Sequence, residues 1–368
     1  MSLSRRKMIG LVGGGFVLAA TASAGGFLAT RRPNRALVPW TKAGDYTEPR
    51  MRALSYAILA PNPHNRQPWV AELQGDDRLV IHRDKTLNLA ETDPFDRQLT
   101  IGMGCFLELL RMAAAEYGHA LETELFPEGD DGPVAFVRFA QGGLPDPLFS
   151  NVFARHTNRQ AYKDRAIAAD AKAALANFAT IKSDPTDVAT LRTLTWEAME
   201  IEMTTQHVAM ESVDLMRFGK AEIEENPDGI SLGGPFLESL MLAGMLSRED
   251  QSNPTSASFK QGLNMLQTAM IATPAYVVLT SEGNTRVDQI EAGRDWIRLH
   301  LVATGFGLAV QPVSQALQEY PEMAEHYAMV HKMLAAPGET LQMLGRLGYG
   351  PTIDASPRWP LETRIVNA

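Results

Sequence analysis

Two stretches of this sequence can only belong in the middle of a fold. "RQLTIGMGCFLELLRMAAAEYG", residues 97–118, and "DQIEAGRDWIRLHLVATGFGL", residues 288–308, are helix-length runs, apolar nearly all round. Gly118 and Gly307 sit where a left-handed residue would end each helix. A helix without a broad polar face needs neighbours on every side, so both predict a central position in a large core. At one constant offset Ile101 aligns with Ile290, Gly104 with Gly293, Leu110 with Leu299 and Gly118 with Gly307. "RLVIHR" (78–83) and "PVAFVRF" (133–139) flank the first run as strands, and "PAYVVLTS" (274–281) precedes the second. The pattern predicts two copies of one helix-plus-strand unit. A shorter helix is expected in "MRALSYAIL", where Met51, Leu54, Ile58 and Leu59 share a face and Pro61 stops the turn.

The remaining composition sets limits. The chain has 368 residues, 45% hydrophobic and 21% charged, which suits one or two globular domains. A net charge of −9 argues against a general nucleic-acid binder, which needs a basic face. Cys105 is the only cysteine, so neither an intramolecular disulfide nor a cysteine metal site can form within one chain. Glu197, Glu200, Glu202, His207 and Glu211 cluster in sequence without a Glu-x-x-His spacing, and no metal site is expected. No local Ser, His and Asp motif supports hydrolysis.

Residues 1–35 stand apart. Arg5 and Arg6 precede an apolar run from Met8 to Ala29, rich in Gly and Ala, with "ASA" at 22–24 in the small-x-small form of a cleavage site. The segment resembles a twin-arginine export signal, although Met8 and Ile9 stand where Phe-Leu is usual. A membrane anchor is the alternative. The expectation is export to the periplasm or beyond by the twin-arginine machinery, with membrane attachment only through this segment. That route carries folded proteins, often ones that hold a cofactor.

Four stretches carry candidate chemistry. In "ILAPNPHNRQPW", residues 58–69, three prolines fix their own φ and bias Ala60, Asn62 and Gln67 toward extended backbone. Such a stiff path can aim Asn62, Asn65 and Gln67, whose amides suit the edge of a heteroaromatic ring. A rigid turn without a ligand remains the other reading. "RHTNRQAY" places Arg155, Thr157 and Arg159 before a helical segment, where forked guanidiniums and a hydroxyl match a phosphate. Two solvated arginines are the alternative. "GLAVQPVSQ" (307–315) leaves the second long helix, and "ASPRWPLE" (355–362) holds Arg358 between two prolines. Residues 163–260 predict two amphipathic helices followed by loops "ENPDGISLGGPF" and "SREDQSNPTSAS", as a cover or a surface insertion.

Together these residues resemble the nitroreductase family of flavin enzymes. Arg155, Thr157 and Arg159 match its "R-[RH]-S-x-[RK]-x-[FY]" segment, with one extra residue before Tyr162. Pro61, Asn65, Gln67, Pro68 and Trp69 match "P-S-S-x-N-x-Q-P-W". Gly307, Leu308 and Pro312 match "G-[LV]-x-x-x-P-I-E-G", with Ser314 and Gln315 in place of Glu-Gly, and Arg358 matches the C-terminal phosphate grip. In the family the arginine segment comes first; here the proline–amide loop does. That order resembles the Acg-type branch, in which two diverged subunits are fused.

The resemblance implies an α+β nitroreductase-like fold of two halves, 45–142 and 148–368, forming a pseudo-dimer within a monomer. It implies one FMN per chain, its phosphate held by Arg155, Arg159 and Arg358 with Thr157 beside them. Asn62, Asn65 and Gln67 would approach from the other half, and Pro312, Ser314 and Gln315 would run past the flavin N5. The implied activity is hydride reduction of nitroaromatic or quinone-type acceptors, with a small-molecule donor and acceptor as partners. An exported flavin-binding or sequestering protein with little turnover is the alternative. No individual catalytic residue is implied.

Overall fold

Gly104 and Gly293 decide how the two long helices meet. The computed structural model describes residues 30–366, so the expected paired-arginine leader lies outside the described residues, apart from its last few positions. In chain order the first part comprises α1 (Asn34–Lys42), α2 (Pro49–Ala57), β1 (Trp69–Gln74), β2 (Arg78–Arg83), α3 (Arg97–Glu116), β3 (His119–Leu125) and β4 (Ala135–Gln141). The middle holds α4 (Ala169–Leu175), β5 (Thr180–Lys182), α5 (Pro185–Thr204), α6 (Gln206–Asp214), β6 (Met216–Phe218) and α7 (Gly219–Glu225). It continues through β7 (Ile230–Leu232), α8 (Pro235–Leu242), α9 (Arg248–Ser252) and α10 (Ala257–Ile271). The last part runs β8 (Ala275–Ser281), α11 (Arg286–Gly305), β9 (Ala309–Pro312), α12 (Ala324–Leu334), β10 (Thr340–Gly348) and β11 (Ile365–Val366).

Helices α3 and α11 cross at the two glycines. A Cβ on Gly104 would stand 2.1 Å from the Ile290 carbonyl oxygen, and one on Gly293 would stand 2.0 Å from that of Ile101. The contact is reciprocal: each glycine faces the isoleucine three residues before the other. Such exchange of equivalent positions is what a two-fold relation between helices produces. The Cys105 thiol donates to the Gly293 carbonyl at 3.1 Å across the same crossing.

Two sheets enclose this pair. The first has the order β11-β1-β2-β4-β3, antiparallel throughout except for the parallel pairing of β11 with β1, Ala71 opposite Ile365. The second has the antiparallel order β5-β8-β10-β9. One core joins Trp69, Leu79, Ile81 and Val137 of the first sheet to Met103, Leu110, Ile297 and Leu301 of the helices and Val277, Leu279 and Leu347 of the second. On the far face of the second sheet, Tyr276, Val278 and Leu344 pack on Leu191, Leu194 and Ala198 of α5. The period of two along β8 therefore feeds two separate apolar layers. The architecture is α+β.

The middle stretch, read as two helices and loops, is more ordered than that. Its β5 pairs with β8, Ile181 opposite Val277, and so belongs to the second sheet. The "ENPDGISLGGPF" segment contains β7, with Gly229 and Gly234 taking left-handed φ of 75° and 92° on either side. In "SREDQSNPTSAS", Ser247 caps α9 and Ser256 caps α10. Serines and glycines there mark helix and strand ends instead of continuous loop. Among the described residues no helix is long and apolar enough to cross a membrane.

Candidate cofactor site

The proline–amide loop follows α2, whose start is capped by Glu48 and led by Pro49. His64, Asn65 and Gln67 all take left-handed backbone, with φ of 46°, 53° and 52°. Each such non-glycine residue costs of order 1–3 kcal/mol, so three in four positions require strong external support. That support is visible. The Gln67 N–H donates to Asn62 Oδ1 at 2.7 Å, and Gln67 Nε2 donates to the Pro227 carbonyl at 2.7 Å. Gln67 Oε1 accepts from the Trp359 N–H at 2.9 Å. Asn65 Nδ2 donates to Pro357 O at 3.1 Å, and its Oδ1 accepts from Arg358 Nη1 at 2.7 Å.

The hydrogen bonds hold the loop stiff. Gln67, expected in extended backbone before Pro68, is left-handed because its N–H and side chain are tied to Asn62, Pro227 and Trp359, and the loop's amides bond within the protein. Asn62, Asn65 and Gln67 were expected to meet a ring edge. Here they join the loop to itself, to the 226–229 turn and to the C-terminal segment, and Gln67 is completely buried. The 226–229 turn adds an ion pair: Asp228 binds Arg66 at 2.6 Å and Arg217 at 2.9 Å. A turn in the middle stretch thus clamps a loop from the first part of the chain.

Arg358 is similarly engaged. Its guanidinium donates to the carbonyls of Ile58 (2.9 Å), Leu59 (3.1 Å) and Ala60 (3.1 Å), and to Asn65 Oδ1, Ser356 Oγ and Pro357 O. It caps the C-terminal end of α2, where unsatisfied carbonyls favour a cation. Expected as a phosphate ligand, Arg358 has every N–H turned to protein acceptors. Arg358→Ala should lower folding stability by about 2–4 kcal/mol, because it orphans several buried carbonyls at once. Urea unfolding monitored by circular dichroism measures that loss.

Arg155 is the contrasting case. It is 2% exposed, and Nη2 donates to the same Leu59 carbonyl at 3.1 Å. Its Nε and Nη1 are buried without a partner. No carboxylate among the described residues pairs with Arg155, Arg159 or Arg358. Burial pushes Arg155 down to about 10, and burial together with the neighbouring Arg155 pushes Arg358 down to about 9. Both remain cationic at neutral pH.

The surrounding histidines add no charge of their own. His156 is held down to about 4 by burial and by Arg155 and Arg358, and lies edge-on to Trp40 at 5.1 Å. His300 of α11 is pushed well below its ordinary range by burial and Arg155. Its Nε2 faces the His156 carbonyl at 3.3 Å and Nδ1 has no partner. With Nε2 as the donor, Nδ1 carries the lone pair. His64 is lowered to about 4 by burial, then by Arg159 and Arg66. Arg159 is exposed, yet the protein packed around it still lowers its pKa. Among the described residues it has no hydrogen-bond partner, and neither does the Thr157 hydroxyl.

The arginine segment is fixed by the second sheet. Thr157 lies parallel to Val310 of β9, and the Asn158 N–H donates to Val310 O at 3.0 Å. Pro312 ends β9 opposite Gly345, and Ser314 opens the following turn, half-buried. Gln315, expected beside the flavin, stands close enough to Glu202 of α5 to favour its charged form and leaves Oε1 buried without a partner. Gln318 Nε2 donates to Glu202, at 2.8 Å.

Burial pushes the Glu202 carboxyl up to about 7, with Glu211 adding to the effect and the two glutamines opposing it. An unfolded chain releases this proton near pH 4.5, so between there and pH 7 the native state holds a proton the unfolded state lacks. Stability then falls as pH rises through that window and is level above it. At pH 8 Glu202→Gln should be more stable than the parent by about 3 kcal/mol, with the advantage gone at pH 4. Thermal melts at the two pH values check the sign.

The structure thus joins Arg358, Asn65 and Arg155 through shared contacts and sets Arg159 near His64. Thr157 lies beside the strand ending in Pro312, and Gln315 turns away toward α5. Sequence reasoning missed His300 and Asp228, and weighed Glu202 only as a metal ligand. A histidine inside an otherwise apolar helix was the one available signal for His300.

In this α+β fold three guanidiniums, Arg155, Arg159 and Arg358, thus stand without a carboxylate partner among the described residues, and Arg155 alone of them is buried with unpaired nitrogens. No family model matches the chain. Over 331 residues it is 25% identical to a Mycobacterium tuberculosis H37Rv protein provisionally named NAD(P)H nitroreductase Rv3131, covering 84% of this chain and 88% of that one. Another protein of that strain, provisionally named NAD(P)H nitroreductase acg, is 36% identical over 81 residues, 22% of this chain and 24% of that one. Among solved structures, the FMN-dependent nitroreductase NfnB of Mycobacterium smegmatis, in complex with NADPH, overlaps at 17% identity with a TM-score of 0.36, covering 57% and 92% of the two chains.

Proposed function

We propose that this chain binds one FMN and acts as a nitroreductase-like oxidoreductase, passing hydride from a reduced nicotinamide-type donor to nitroaromatic or quinone-type acceptors. The observation that carries the reading is Arg155: a buried cation with two unpaired N–H-bearing nitrogens and no carboxylate beside it. Leaving a charge so placed without a counter-ion costs several kcal/mol, which a bound phosphate dianion would offset. The 25% identity to Rv3131 over most of both chains supports the same class.

Arg155, Arg159 and the Thr157 hydroxyl would hold the phosphate. Arg358 would act one step back, fixing the loop carbonyls around which Arg155 is set. Bound FMN supplies a carrier that accepts and releases hydride. The chain's contribution is to hold it: His64, neutral above about pH 4, can offer one hydrogen bond without adding charge. The clamp through Asp228 keeps the left-handed loop rigid against the second part of the chain.

The reciprocal Gly104 and Gly293 contacts support a fused pseudo-dimer, in which one seam retains the paired half-sites. The Arg5–Arg6 leader supports export by the twin-arginine route, which fractionation of cells with that pathway disabled would test. For the central reading, natively purified protein should be yellow with about one FMN per chain. Addition of NADPH should bleach it, and a nitroaromatic or quinone should restore the colour. Bleaching too slow to sustain turnover would favour a flavin-sequestering role; a colourless protein that ignores added FMN would overturn both.

A further inference from the structure

Helix α8 is built inside out. Its sequence is PFLESLML, and the only residue it buries is Glu238. Phe236 is 69% exposed, Leu242 75% and, just past the helix end, Met245 63%. Leu237, Leu240 and Met241 are half-buried. Soluble proteins do expose single apolar side chains, but a short helix that hides its one acid while Phe236 and Leu242 face outward marks a contact surface. Glu238 is turned inward by what it binds: Arg31 at 3.1 Å and the Lys220 N–H at 3.0 Å. Lys220 Nζ in turn donates to the Thr30 carbonyl at 3.1 Å. The chain therefore enters the described structure against α8, directly after the apolar run from Met8 to Ala29.

We propose that the outward face of α8, with Met245, docks on a lipid bilayer, the same bilayer that the upstream apolar run would enter. Position argues for lipid: Arg31 ties the first turn after that run to α8 itself, so any membrane holding the run lies beside Phe236 and Leu242. Arg32 and Arg35 stand at the same entry with largely exposed side chains, each in a loose 3.5 Å ion pair, with Asp354 and Glu224. An apolar helix face beside the point where an apolar run meets basic residues is the chemistry of interfacial binding. A second copy of the chain fits less well. One face of a helix about 12 Å long cannot supply the roughly 800 Å² per partner that a stable dimer buries.

The test uses the full chain with a polarity-sensitive fluorophore on Met245→Cys, and on Leu144→Cys as a control that is 83% exposed in the linker after β4. The native Cys105 is buried and should stay unlabelled. With phosphatidylcholine vesicles containing one-third phosphatidylglycerol, the chain should float with the lipid. The label at 245 should shift blue and be quenched by spin-labelled lipid, while the label at 144 stays water-like. Adding Phe236→Ser and Leu242→Ser should abolish the shift at 245 while the chain still floats. A water-like label at 245 on floating chains, or failure to float, overturns the proposal. So does a blue shift without vesicles: if it grows with protein concentration the occupant is a second copy, and if it does not the occupant is the upstream run.

Discussion

Arg155→Met should strip the protein of FMN and leave the empty chain at least as stable as its parent. The two effects have opposite signs for one reason. In the empty protein the guanidinium is buried with Nε and Nη1 unpaired, which is an unfavourable state that methionine removes. The one bond lost, to the Leu59 carbonyl, leaves that oxygen still bound by Arg358 at 3.1 Å. In the loaded protein the same two nitrogens would each make a charge-assisted bond of about 1.5–3 kcal/mol to phosphate, so affinity should fall at least about 100-fold. Flavin absorbance per chain reads the loss, and thermal melts with and without added FMN read the stability. A variant that keeps its colour, or that melts well below the parent when both are empty, would show Arg155 to be a structural residue instead.

Gly293→Ala should cost about 3–5 kcal/mol or prevent folding outright, and Gly104→Ala should cost nearly the same. At each position the new methyl group would meet a backbone oxygen, at 2.0 Å and 2.1 Å, and no rotamer change can move a backbone. The helices must separate, which opens the core around Ile101, Ile290 and Cys105. Because one separation relieves both collisions, the double variant should lose much less than the sum of the singles. Denaturant unfolding of the three proteins gives the coupling directly. Additive losses would mean that the two contacts are independent, against the reciprocal geometry.

What the sequence displayed of this fold was its interior. Both long helices and strands β2, β4 and β8 were legible because burial imposes a periodic apolar pattern on them. β3 escaped because it lies at a sheet edge, where Glu122 and Glu124 are exposed and blur the alternation. β10 escaped for the opposite reason. It is almost wholly buried yet contains Gln342, Gly345 and Arg346. Gly345 is required there because a Cβ would stand 2.5 Å from the Trp296 ring, and Arg346 is satisfied by Thr273, Gln311 and Gln160. At the site, the stiffness of the 58–69 loop could be read from its prolines. The direction of its amides could not, since their partners Pro227, Pro357 and Trp359 lie far along the chain.

The chain's last strand, β11, completes a sheet begun near its start, and Arg358 just before it caps α2. Closure of this kind postpones assembly. A nascent polypeptide emerging from the ribosome can form its helices early, but the first sheet lacks an edge and α2 lacks its cap until residues 358–366 have been synthesised. Deletion of residues 357–366, which removes both Arg358 and β11, should therefore leave a translation product that falls short of the native state.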